Sequence, residues 1–372
     1  MRTLSWDDID DILAGATILG CGGGGELAEG REYMQRAYDA GHSVRLAAPD
    51  ELPAEALVAC PYGVGAMTVG DEAVYGGRPF ADEHPGVLAV RALAEHLGCE
   101  FAALICGELG GTSIADAFYP AAMLGLPIVD ADPVGRAVPE LEHSLFYVHG
   151  VPIAPQAVVN EIGDTALITR VGDDLRAEAL VRALSVASRN LVWVADHARP
   201  WGELRKAAVL GSISASLAVG AAWRQAIAAG ADMPCTVAAA AHGVVVFRGE
   251  IVSPVSADVG GFTVGDTHLA GCGGDEGAAY RIWFKNENLM AWRDDVPDVT
   301  CPDLICVFDE ATGAVVTNPF ATVGARVAVV GMPAPSQWRT AKGIATLGPR
   351  HFGFDVEFVA VEEQPRSSPG RR

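Results

Sequence analysis

The chain has 372 residues, half of them hydrophobic and 20% charged, which is enough to bury a sizeable core and suggests two domains. Its formal net charge of -21 repels a phosphate backbone, and outside the 365–372 tail no cluster of Lys and Arg offsets it, so nucleic acid is excluded as a partner. An acidic helix pattern stands at the N-terminus in place of a basic and apolar leader. Apolar stretches such as 207–222 are too short and alanine-rich to cross a membrane, and the eight scattered cysteines form no C-x-x-C pair, so the expected compartment is the cytoplasm.

Ser5 and Asp8 make a capping-box-like start, and Ile9, Ile12, Leu13 and Ala16 recur at helical spacing, so a first helix runs to about Leu19. Next come Cys21, Gly22, Gly23, Gly24 and Gly25, where glycines permit positive φ and leave the backbone amides bare. The polar stretch through Asp39 reads as a helix closed by Gly41, which puts this loop at a helix N-terminus as an anion nest. No Gly-Lys-Ser/Thr follows and a helix precedes, so no nucleotide is expected there. Cys21 reads either as a nucleophile activated by amide dipoles or as a packed thiol.

Residues 43–47 and 57–62 read as strands, 63–77 as a loop over the same face, and 86–97 as a helix. Strand 101–106 then runs into Gly107-Glu108-Leu109-Gly110-Gly111, and helix 114–124 leads to the apolar run 126–129. That run ends in Asp130-Ala131-Asp132, a strand delivering two carboxylates at its C-terminal end, where open α/β sheets bind ligands. Alternation puts both acids on one side if the strand continues through Asp132. Pro133 favours a turn, and Arg136, Glu140 and His143 follow closely. The strand-helix-strand order implies a parallel crossover with Glu108 and Asp130 on one rim. The competing reading is a structural network in which Arg136 neutralises an aspartate.

The first domain is placed at 1–170 and the second at 171–363, with a disordered tail at 364–372. Helices are expected at 174–188 and 204–229; the second is rich in small residues, suited to close packing or to a contact between subunits of a homo-oligomer. Short β segments at 244–252, 280–284, 304–308, 326–330 and 354–361 suggest an antiparallel, barrel-like domain. Lys285, Asn286, Glu287 and Asn288 place four polar side chains in a β context. His268 and Cys272 are poor evidence for a metal. The expected fold class is α/β, a layered N-terminal domain with a mostly parallel sheet followed by helices and the antiparallel β domain.

Several ordered motifs resemble the S-methyl thiohydantoin desulfurase family. They are Leu19–Gly25 (LGCGGGG), Glu108-Leu109-Gly110-Gly111, Gly125–Asp132 (GLPIVDAD) with Gly135-Arg136-Ala137 and Pro139-Glu140, Gly260-Gly261-Phe262, Asn286–Leu289 (NENL), Pro302–Ile305 (PDLI) and Gly348–Gly353 (GPRHFG). The resemblance covers nearly the whole chain. It departs from the family pattern at Gly65-Ala66-Met67, where a proline commonly follows Gly-Ala, and in the 267–277 loop, which looks longer.

The resemblance implies an α/β layer domain followed by a β-barrel-like one. It also implies replacement of sulfur by water at the carbon between the two nitrogens of a five-membered cyclic thio-ureide, a small-molecule substrate, giving a hydantoin. Three versions of that chemistry suit the residues. Asp130 and Asp132 with His143 or Glu108 could hold one divalent ion, zinc first among them, that activates water. Glu108 or Asp132 could act as base while the amides of residues 21–25 receive developing charge. Cys21 could attack first. Gly22, Gly23, Gly24, Gly25, Arg136 and Glu140 would line the substrate, Arg136 gripping a carboxylate or holding an aspartate. Ring-opening hydrolysis of a hydantoin-like compound, and a non-catalytic accessory subunit of a hydantoinase-type complex, are the alternatives.

Overall fold

A computed structural model describes residues 1–364; the remainder of the expected disordered tail lies outside the described residues. Helix α1 (Trp6–Leu19) begins at a complete Ser5/Asp8 capping box, and α2 (Leu27–Asp39) follows the glycine loop. Helices α3 (Pro85–Leu97) and α4 (Gly111–Leu124) each end at a left-handed glycine.

With these helices fold the strands β1 (Arg2–Thr3), β2 (Arg45–Ala47), β3 (Leu57–Gly65), β4 (Ala103–Leu104), β5 (Pro127–Val129), β6 (Ala131–Asp132), β7 (Gln156–Val159), β8 (Thr165–Ile168), β9 (Leu191–Pro200) and β10 (Val209–Leu210). Eight of them form one sheet in the order β1-β2-β5-β4-β3-β9-β7-β8. Its centre, β2-β5-β4-β3, is parallel, as the β4-α4-β5 crossover requires. Antiparallel strands at both ends make the whole sheet mixed. Strand β9 carries an unbroken buried run, Val192–Ala198, which has neither the alternation of a half-buried strand nor helical spacing and gives no periodic signal in the sequence.

The chain changes sheets at Asp130. Strand β5 stops at Val129, and β6 pairs instead with β10, away from the main sheet.

Helices α5 (Leu145–His149), α6 (Asp174–Ala187), α7 (Trp201–Leu204) and α8 (Ser212–Ala229) complete the helical set that frames the site. The small residues of α8 serve packing within the chain. A Cβ on Gly220 would fall 1.8 Å from the Asp11 carbonyl oxygen, and one on Gly15 equally near that of Ser216, so α1 and α8 touch backbone to backbone. No helix among the described residues is long and apolar enough to cross a membrane.

The C-terminal sheet has seven antiparallel strands, β11 (Val244–Val259), β12 (Phe262–Gly271), β13 (Ala279–Lys285), β14 (Glu287–Arg293), β15 (Val296–Thr300), β16 (Leu304–Asp309) and β17 (Arg326–Met332), in the order β15-β14-β13-β12-β11-β17-β16. It curls into a half-barrel that brings β14 back toward β16, where Asn288 Nδ2 donates to the Ile305 carbonyl at 3.1 Å. Residues 267–271 belong to β12 rather than to a loop. Residues 354–361, expected as a strand, join no ladder, and two of their amides go to side chains. Val361 N donates to Asp303 Oδ2 and Val359 N to Thr300 Oγ1.

Candidate active site

A cavity of about 210 Å³ opens between the two sheets. Its walls are the end of β3, the 107–113 loop, residues 133–146, the β9 residues Trp193 and His197, and the Asn286-Glu287 pair carried in from the half-barrel. Parallel strand ends supply one side, as the crossover rule anticipates. The other side depends on how the half-barrel docks.

The glycine loop makes that docking possible. The carbonyls of Cys21 and Gly22 accept from Asn288 N and Asn318 N, and the Gly24 carbonyl accepts from Thr112 N and Ser113 N at the start of α4. Gly23 has to be bare, since a Cβ there would sit 2.1 Å from Glu287 Oε1. Gly24 has a left-handed φ of +70°, and a Cβ there would fall 2.7 Å from the Gly110 Cα. Gly24 and Gly25 line the cavity, and the loop presses Glu287 into place.

Glu108 and Glu287 face this cavity together. Glu108 accepts from Ser113 Oγ at 2.7 Å and from Val138 N at 2.8 Å. Burial raises its carboxyl to about 7, with Asp132 adding to the rise and Ser113, Val138 and Arg136 opposing it. Glu287 is 2% exposed, and its Oε2 has no hydrogen-bond partner. Burial and then the charge of Glu108 push Glu287 well above the carboxylate range, against the pull of Arg136. Two such groups hold a proton at neutral pH. Asp116 on the same wall accepts from Trp193 Nε1 at 2.7 Å and is raised by burial to about 8.

The strand-end acids sit behind this wall. Asp130 accepts from Ser214 N at 2.9 Å and from Ser214 Oγ at 2.5 Å, capping the first turn of α8, and does not line the cavity. Asp132 is fully buried, with Oδ2 accepting from Val134 N and Gly135 N. Burial raises it to about 6. Pro133 and Val134 line the cavity, whereas Asp132 does not.

Arg136 is fully buried and donates to the carbonyls of Ala137, Asn288, Pro302 and Asp303. It clamps the two sheets together and has no side-chain face toward a substrate carboxylate. Cys21 is also buried, its Sγ donating to the Leu19 carbonyl at 3.1 Å, and burial raises its thiol. A thiol kept protonated in this way is a packed thiol.

His143 and Glu140 lie at the cavity with Glu142 and His351 close by, and one ligand atom from each of these four falls within 4.8 Å of the others. His143 Nε2 and His351 Nε2 are 2.9 Å apart, and Glu140 Oε2 is 3.6 Å from the first and 3.8 Å from the second. Lys285 Nζ engages Glu140 Oε1 at 2.6 Å, leaving Oε2 to the imidazoles. The buried Glu140 Oε2 and Glu142 Oε2 have no hydrogen-bond partner, and burial holds His143 neutral, down at about 3. Two imidazoles with two carboxylates are a donor set that fits a divalent ion such as zinc. Asp130 and Asp132 stand apart from this cluster.

In the sequence Glu287 stands out as one of four polar residues in a β context and in the NENL motif, His351 only within GPRHFG, and Asp116 and His197 carry no local signal. Polar residues inside β patterns were the available signal for Glu287. For the others the neighbours that matter are remote in sequence.

No curated protein matches the chain. Its fold is similar to that of a protein from Chromobacterium violaceum known from a crystal structure, with a TM-score of 0.76, 22% identity, and coverage of 97% of this chain and 100% of that one. Residues 7–170 match the S-Me-THD-like N-terminal domain and residues 172–361 the S-Me-THD-like C-terminal domain. The chain therefore belongs to the S-Me-THD-like family.

Proposed function

We propose that this protein is a hydrolase of a small five-membered cyclic thio-ureide such as an S-methyl thiohydantoin, replacing the sulfur substituent by water to give a hydantoin and a thiol. The observation that carries the reading is the Glu108 and Glu287 pair, which faces the cavity between the sheets and retains a proton at neutral pH. Such a proton suits the reaction. Given to a ring nitrogen, it makes the carbon between the two nitrogens electrophilic enough for water to add and for the C–S bond to break. Family membership supports the same reading at the level of substrate class.

The cavity's electrostatics agree with a neutral ring. Arg182 on its wall directs its guanidinium to the carbonyls of Gly65, Pro139 and Gly261 and to Glu178, and Lys285 is held by Glu140. With Arg182 and Lys285 engaged in this way, neither offers its charge to a substrate carboxylate, and Glu26 and Glu29 add acid to the wall.

Glu140, Glu142, His143 and His351 would hold a zinc ion. Such an ion, when bound, supplies Lewis acidity at the cavity edge. The eight cysteines are all free thiols, which fits a reducing compartment, and we place the enzyme in the cytoplasm.

Incubating the purified protein with a 5-substituted S-methyl thiohydantoin in ¹⁸O-water tests the reading. It predicts released methanethiol and one ¹⁸O on the ring carbon of an intact hydantoin. A ring-opened ureido acid, or no thiol, contradicts it. Elemental analysis should find about one zinc per chain, lost on His351→Ala; metal content unchanged by that substitution removes the cluster from the account.

A further inference from the structure

We propose that His197 is the base that takes the proton from the attacking water, with Asp196 as its positioning residue. This inference rests on the hydrolytic reading above and adds a group that it does not contain.

The backbone is irregular at His197. Strands β3 and β9 are in regular antiparallel register at Cys60↔Asp196, but the next paired position is Val58↔Arg199. Two residues, His197 and Ala198, therefore stand opposite Ala59, a bulge in the middle of a buried strand. His197 adopts a φ of 43°, in the left-handed region that a residue with a side chain rarely enters. In an unbroken strand, consecutive side chains point to opposite faces. Here the bulge lets neighbours meet, and His197 Nδ1 lies 2.7 Å from Asp196 Oδ1.

Asp196 is in turn fixed from two other strands. Tyr62 Oη donates to Asp196 Oδ2 at 2.5 Å and Gln156 Nε2 donates to the same oxygen at 3.1 Å. The carboxylate is fully buried, so Nδ1 of His197 carries the hydrogen that satisfies Oδ1. This tautomer leaves Nε2 with a lone pair. Nε2 is buried without a hydrogen-bond partner, and His197 lines the same cavity as Glu108 and Glu287. Phe146 packs against the imidazole with ring centroids 4.8 Å apart and holds its plane. A backbone irregularity, an oriented carboxylate and an unpartnered acceptor at the cavity wall are what a general base requires.

The step balances. As the water oxygen bonds to the ring carbon between the nitrogens, its proton passes to His197 Nε2, the C=N electron pair moves onto nitrogen, and the carboxyl pair protonates that nitrogen. When the C–S bond breaks, the added hydroxyl returns its proton to the carboxylate and becomes the carbonyl oxygen. The imidazolium gives its proton to the thiolate, so hydantoin and thiol leave and both protein groups are restored.

The test uses the full chain. His197→Ala should lower kcat for thiol release at least about 100-fold with KM changed only a few-fold, and added imidazole should restore part of the rate. Asp196→Asn should lower kcat and change the shape of the pH profile, which a purely structural partner would not do. In the wild type, diethyl pyrocarbonate should acylate His197, read by peptide mass spectrometry, and this labelling should fall in Asp196→Asn. A folded His197→Ala that keeps kcat within threefold, or a His197 that stays unlabelled, overturns the proposal. If the wild type releases no thiol, the hydrolytic reading fails, while the labelling still decides whether His197 is an accessible base.

Discussion

The strand-end acids and the cavity acids are all withdrawn from bulk water, and they differ in what they face. Asp130 receives an amide and a hydroxyl from the first turn of α8, and Asp132 receives two amides from its own turn. Glu287 has a side-chain oxygen with no donor, and the largest charge effect on it is that of Glu108, a like carboxyl. Asp130 and Asp132 lie behind the cavity wall and are part of the scaffold, although burial raises Asp132 and leaves its Oδ1 without a partner. Glu108 and Glu287 face the cavity, so the proton that burial and their mutual repulsion retain there can be delivered to a bound ring. Arg136 belongs with the first group, since four carbonyls from both halves of the chain accept from its guanidinium.

Substitutions that separate the two groups sharpen this contrast. The largest effect is expected at Glu287 or Glu108, where replacement by Gln should lower kcat by about 100- to 10,000-fold. The same Glu108→Gln change should leave the fold intact and show a pH-dependent gain in stability. Burial raises Glu108 above its unfolded value of about 4.5 to about 7, so the folded state binds the proton more tightly. The stability it contributes is fully present below about 4.5 and is lost as pH rises through about 7. The neutral Gln has no such loss, so thermal melts should favour the variant over wild type at pH 8 by on the order of 1–3 kcal/mol relative to their difference at pH 4. A constant difference between pH 4 and pH 8 would contradict the raised carboxyl.

Arg136→Met should act on stability instead. Removing the guanidinium leaves the carbonyls of Ala137, Asn288, Pro302 and Asp303 buried without that donor, at a cost of about 3–5 kcal/mol in chemical denaturation. Retained stability would show that solvent reaches the junction.

Gly23→Ala joins the two groups, because its Cβ would press on Glu287 while Gly23 itself lies outside the left-handed region. About a 10-fold loss of kcat with a stability loss of about 1–3 kcal/mol is expected. Wild-type turnover would show that the loop does not position the carboxyl. The smallest effect is expected for Asp130→Asn, which keeps an acceptor oxygen for Ser214 N and loses the second acceptor that holds Ser214 Oγ, costing about 0.5–1.5 kcal/mol in a denaturant titration, with kcat within a few-fold.

The same contrast explains what the sequence made legible. Helix α1 could be read from the Ser5/Asp8 cap and its apolar spacing, and the β4-α4-β5 crossover from an apolar run on either side of a helix pattern. These signals are local. The D-x-D strand end was legible as two acids behind an apolar run, but its partner is Ser214, 84 residues beyond Asp130, so the sequence could not distinguish a cap from a catalyst. Glu140 and His143 were legible as a close pair. Their companion His351 lies 208 residues beyond His143, and only the docking of the half-barrel brings it near. Glu287 was visible as an acid in a strand pattern, and its meaning comes from the packing of Gly23 against it. The bulge at His197 leaves no composition signal, because a register shift is a property of two strands.

The most direct test of the account is a paired rate measurement on one substrate, thiol release from an S-methyl thiohydantoin by Glu287→Gln and by Asp130→Asn, both folded by thermal melt. The account predicts loss of at least about 100-fold in the first and a rate within a few-fold of wild type in the second. The reverse order would contradict it.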